Sequence, residues 1–101
     1  MPWLESDFHD LVAAWLRDAF ADGAVEHEVT LPSGRRPDFV VHTPFESYVL
    51  EVEDSADSLY DCIGQAAVYS EETGYRPVGV FPATDAPDPA DVPDWLTIET
   101  L

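Results

Sequence analysis

Residues 37–53 read PDFVVHTPFESYVLEVE, and this stretch decides the fold. Thr43-Pro44 divides it into two short apolar runs, because proline removes a backbone donor and cannot continue a ladder. The first run, Pro37 to His42, predicts one strand, and the second, Tyr48 to Glu53, predicts another. Their short connection makes them antiparallel neighbours. Twelve residues separate Asp38 from Glu51, which suits carboxylates facing each other across such a pair. Side chains alternate along a strand, so Glu51 and Glu53 share one face while Leu50 and Val52 take the other. Asp38 on the adjacent strand can join the two glutamates.

Upstream, residues from about 4 to 21 predict a helix. Phe8, Leu11, Val12, Trp15, Leu16, Ala19 and Phe20 recur at helical spacing, and Asp22-Gly23 ends the pattern. Val25, His27, Val29 and Leu31 alternate with polar residues, which predicts a half-buried strand with His27 facing the core. Pro32-Ser33-Gly34 is a turn. Downstream, Ser55 to Glu72 predicts a second helix with a stripe of Leu59, Cys62, Ile63, Ala66, Ala67 and Ser70, closed by Gly74. Gln65 and Tyr69 lie one turn apart and flank that stripe. Pro77 to Phe81 is a short apolar strand. Residues 82–93 form a loop rich in proline and aspartate, and residues 95–101 predict a closing strand at an edge. The expected fold is therefore α/β: a mixed sheet of an antiparallel meander and one parallel crossover, flanked by two helices. One domain spans 1–101, with its core at about 4–81.

Composition bounds the function. Of 101 residues, 46% are hydrophobic and 12% aromatic, which excludes a disordered acidic chain. There are 21 acidic residues against four basic ones, for a net charge of −17, and all four basic residues are arginine. Self-repulsion of that size opposes compaction in dilute buffer. At about 1 M salt the screening length falls to roughly 3 Å and most of the repulsion vanishes. The composition looks like that of an extreme halophile's cytosolic protein, with an acidic mesophilic protein as the alternative. Cys62 is the sole cysteine, so no internal disulfide forms, and it reads as a small core residue. No apolar run approaches the ~18 residues of a membrane span. No leader is visible, so the expected location is cytoplasmic and no membrane partner is expected.

Asp38, Glu51 and Glu53 converging beside apolar segments would repel one another, and a divalent cation is the simplest relief. A cation held there could polarise a phosphoryl oxygen and activate water. Gln65 and Tyr69 could contact a phosphate or orient a carboxylate. Arg35 and Arg36 adjoin Asp38 and could grip a phosphate or simply pair with nearby acids. His42 shares the strand parity of Asp38 but lies toward the far end. Trp3, Trp15 and Trp95 read as core or interface packing. The bland alternative for the glutamates is a solvated strand face. Acidic pairs come cheaply in this composition, and Glu26-His27-Glu28 is another.

Pro37-Asp38, then Glu51-Val52-Glu53, then Gln65-Ala66-Ala67-Val68-Tyr69, in the order helix, three strands, helix, strand, resembles the PD-(D/E)xK nuclease superfamily. The Gln-x-x-x-Tyr element resembles its RecB-like branch. The resemblance spans about Glu5 to Phe81. It implies a restriction-endonuclease-like core, with Asp38 and Glu51 as ligands of Mg2+ or Mn2+ and Gln65 and Tyr69 bordering the site. It also implies an acid or histidine from the first helix, for which Glu5 and His9 are the candidates. The sequence departs from the family at Glu53, where a lysine is usual. Glu53 could be a further metal ligand, accept the proton of the attacking water, or mark a domain that has lost activity. The implied function is metal-dependent hydrolysis of DNA, by a homodimer given the small size, in a halophilic archaeon or its virus. Two alternatives stand beside it: an inactive nuclease-fold module for binding or assembly, and an unrelated acidic α+β homodimer pairing through residues 95–101.

Overall fold

The computed structural model describes residues 5–21 and 23–101, with side chains from residue 7 onward. Trp3, Asp22 and the side chain of Glu5 therefore lie outside the described residues. Helix α1 spans Glu5–Ala19, and its apolar spacing places Phe8, Val12 and Leu16 fully out of solvent. Strands β1 (Val25–His27), β2 (Phe39–His42) and β3 (Ser47–Val52) follow as an antiparallel meander. A 3-10 turn at Ala56–Ser58 leads into helix α2, Leu59–Thr73. Gly74 ends α2 in the left-handed conformation at φ 73°, which costs glycine nothing sterically. Strand β4 (Arg76–Phe81) returns parallel to β3, and β5 (Thr97–Thr100) lies parallel to β4 at the edge. The sheet order is β1-β2-β3-β4-β5.

The result is an α/β architecture with a five-stranded mixed sheet and one helix on each face. Against α1 lie Phe39, Val41, Leu50, Val52, Val78 and Val80, the main core. The other face carries two smaller clusters. Leu59, Cys62, Ala66, Phe81 and Leu96 form one; Leu31, Val49 and Tyr69 form the other. The connection from β4 to β5 contributes Val92 and Leu96, so it crosses the same face as α2. No helix among the described residues is long and apolar enough to cross a membrane.

Several expectations need correction. The first strand stops at His27 instead of reaching Leu31. Glu28 takes a left-handed φ of 56°, turning the chain off the sheet, and Leu31 then exchanges backbone hydrogen bonds with Gly34 and Arg35. Val29 and Leu31 still bury apolar surface, but against Val49 and Tyr69. His27 turns to the core face, stacked on Phe39, but it is not buried there. It stands on the α1 side of an edge strand, opposite Phe39, and remains exposed. Trp95 is 47% exposed, so it is not part of this chain's core. Tyr69 is a buried member of the α2 core face, where it was expected on the flank.

Gly79 sits in the middle of β4, directly across from Glu51. A β-carbon there would stand 2.9 Å from Cys62 Sγ and 3.2 Å from both Ile98 Cδ1 and Phe81 Cε1. The missing side chain is what lets α2 approach the sheet at Cys62. Gly79→Ala should therefore lower the unfolding free energy by about 1–3 kcal/mol through overpacking. Urea titration should also show that Cys62→Ala on the same chain recovers part of that loss.

Candidate functional site

The carboxylates gather where the meander meets the parallel crossover. Phe39 pairs with Leu50, so the next position outward sets Asp38 against Glu51 across β2 and β3. The Val52 N–H donates to Asp38 Oδ2 at 2.8 Å. His9, on α1, places Nε2 3.5 Å from Asp38 Oδ1. Asp38 is thus fixed from β3 on one side and approached by α1 on the other.

Glu51 is the unusual group. It is 5% exposed, the sole charged residue type among the buried positions of the described chain. Its neighbours on the α2 side of the sheet belong to the two apolar clusters: Val49 to one, Cys62 and Phe81 to the other. Glu51 Oε1 has no hydrogen-bond partner among the described residues. Burial pushes its pKa up from 4.5 to about 8, and the charges of Asp38 and Glu53 push in the same direction. A hydrogen bond from the Asp38 backbone offsets part of this. At neutral pH, with no cation nearby, Glu51 is mostly the neutral acid.

The same negative field reaches α2. The Cys62 thiol is pushed up to about 12 by burial, then by Glu53, Glu51 and Asp38. It stays protonated and behaves as the small core residue its place in the apolar stripe predicts. Burial also raises the Tyr69 phenol, followed by Glu51 and Asp38, while Arg35 acts the other way. The Tyr69 hydroxyl donates to the Arg36 carbonyl oxygen at 3.5 Å, tying α2 to the segment that leads into Asp38.

The structure therefore brings Asp38, Glu51, Glu53, Tyr69 and His9 into one electrostatic neighbourhood. Glu53 is half-buried at the end of β3, where its N–H donates to the Val80 carbonyl at 2.9 Å. Gln65 is exposed, one turn before Tyr69. Arg35 is exposed and pairs with Glu72 at 3.7 Å, and Arg36 is exposed. His42 stands apart at the other end of β2, bound to Ser47 Oγ at 2.8 Å and to Glu26 Oε2 at 3.0 Å. Among the described residues, no three of histidine, cysteine, aspartate and glutamate are disposed to hold a metal ion directly. Sequence reasoning missed Gly79 and the aromatic contacts of His27. A glycine inside an otherwise apolar strand was the available signal for the first.

Comparison with protein-family models, curated proteins and solved structures gives no match.

The buried acid makes a pH prediction. Its folded pKa is higher than its unfolded value, so the native state holds the proton more tightly. The folded protein should lose stability as pH rises from about 4.5 through about 8 in buffer free of divalent ions. The part due to Glu51 should amount to a few kcal/mol at most. Denaturation of wild type and Glu51→Gln at constant molar KCl should show it, with the variant lacking that component and more stable at high pH.

Proposed function

We propose that this chain is a metal-dependent nuclease with a restriction-endonuclease-like fold, hydrolysing phosphodiester bonds in DNA. The observation that carries the reading is Glu51: a desolvated carboxylate with an unpartnered oxygen, placed against Asp38. Burying such a group is costly unless something compensates its charge. A divalent cation does so, and the residues fit one. Mg2+ characteristically takes one or two carboxylates and completes its shell with water and substrate phosphate. Asp38 and Glu51 supply that pair, so a three-residue protein cage is not required. When bound, the ion would polarise the phosphoryl oxygen and lower the pKa of water.

The chain's own residues would do the rest. The Val52 N–H and His9 orient Asp38. Arg35 and Arg36 lie on the segment just before it and can meet a phosphate as bidentate donors. Tyr69 closes the wall toward α2, with Gln65 exposed beside it. Glu53 stands close enough to influence Glu51 and would serve as a further ligand or take a proton from the attacking water. The reading expects a homodimer working in a halophile's cytoplasm.

A second reading has its own support: the same fold as an inactive binding or assembly module. Glu53 in the usual lysine position favours it.

One pair of measurements separates the two. Wild type should cleave DNA in molar KCl with Mg2+ or Mn2+, and Asp38→Ala should reduce cleavage to background. Mn2+ should also stabilise wild type by about 2.7 kcal/mol at a hundred-fold excess over its Kd, and the variant not at all. Metal stabilisation with no cleavage would favour the module; neither effect would reject the site.

A further inference from the structure

We propose that the His27 ring is a stacking platform for one unpaired nucleobase beside the Asp38–Glu51 site, which makes the substrate single-stranded or frayed DNA. The inference rests on the nuclease reading of that site and adds the class of DNA it takes.

Three rings form one cluster at this end of the sheet. His27 lies 4.7 Å from Phe39, with their planes 18° apart. His9 lies 4.9 Å from Phe39 at 26°, and 5.0 Å from His27 at 36°. Their exposure is graded. Phe39 is 1% exposed, His9 is half-buried and His27 is open to solvent. The outermost ring is thus held in orientation by a buried one. It belongs to an edge strand, so no further strand covers it among the described residues. The cluster is also joined to the site. Phe39 follows Asp38 in the chain, and His9 reaches the Asp38 carboxylate.

Electrostatics explains why a ring would matter here. The chain carries −17, and Glu26 and Glu28 flank His27. Charge attraction to phosphates cannot supply much affinity, and in molar salt counterion release contributes little to any complex. Stacking on an aromatic face does not depend on salt in that way, and it tolerates any base sequence because every base has a π-face. It does require the base to be out of its duplex. The cluster stands on the α1 face and reaches the site at Asp38, while Glu51 projects toward α2, so the adjoining phosphate would cross the Asp38 end of the sheet to meet both.

The test uses a short single-stranded oligodeoxynucleotide carrying one 2-aminopurine, whose emission falls when its base stacks. Binding is measured in molar KCl to the Asp38→Ala protein, which leaves the strand intact. We expect quenching on binding, about ten-fold weaker affinity for the added His27→Ala change, and near-normal affinity for His27→Phe. An abasic nucleotide in place of the stacked base should weaken binding to the same extent in the His27 protein and cause no further loss in His27→Ala. Equal affinity for the abasic strand, equal affinity for blunt duplex, no binding of single strands, or a steep fall with KCl would each overturn the platform. The nuclease reading fails separately. If strands bind with this His27 dependence but wild type cleaves none of them with Mg2+ or Mn2+, the platform stands and catalysis does not.

Discussion

The removal of the Glu51 carboxylate from water is the constraint around which this molecule is arranged. It projects from the central strand of five toward α2, between two apolar clusters that share no buried residue. Directly across from it the chain has glycine, and beyond the glycine α2 contributes a thiol instead of a bulky aliphatic group. A leucine at position 51 would join the two clusters into one core, with no desolvated charge to compensate. The clusters stay separate because a polar group occupies the gap. Its neighbours do not neutralise it: Asp38 and Glu53 both make ionisation harder. A purely structural role gives no account of that choice of residues.

The overall acidity of the chain does not explain Glu51 either. Exposed carboxylates are screened within a few ångströms at molar salt, but buried charges are screened far less. The many surface acids and the one interior acid are therefore physically different populations. The first is tolerable because of the solvent. The second is tolerable only as a neutral acid, or beside a cation that replaces its lost hydration. On the proposed reading, the meander would supply the geometry for the latter. Antiparallel register sets Asp38 opposite Glu51, and the Val52 N–H holds Asp38 in place. The parallel crossover then lays α2 over the same face.

Much of this was legible in the sequence because it follows from periodicity and punctuation. The apolar runs at 37–42 and 48–53, the Thr43-Pro44 break between them and helical spacing in α1 and α2 give the element order, the meander and the crossover. The pairing of Asp38 with Glu51 follows from the same register. What escaped depends on long-range packing. Residues 29 and 31 alternate like a strand, yet the left-handed turn at Glu28 takes them off the sheet to reach Tyr69. The phenol of Tyr69 is drawn inward by that contact, which helical angle alone cannot reveal. His27 has the parity of a core residue, but parity gives the face of a sheet and not the distance from its edge. Burial of Glu51 in place of a solvated strand face was equally hidden, since it depends on how closely α2 approaches.

Glu53 is where sequence and geometry bear most directly on each other. A lysine at that position would stabilise ionised Glu51 and hold a positive charge ready for a phosphate or a water. Glutamate reverses both effects: it raises Glu51 further and adds to the negative field that keeps Cys62 protonated. If the proposed reading holds, such a site would be poor at attracting phosphate by itself and would depend more heavily on a divalent ion, which would have to offset three carboxylates instead of two. In return, such an ion would gain a strongly anionic neighbourhood, which matters most in concentrated monovalent salt, where weak charge interactions are lost. On the proposed reading, a buried acid, a proline-adjacent aspartate and a glutamate at position 53 together call for a positive charge from solution; without one, Glu51 stays the neutral acid.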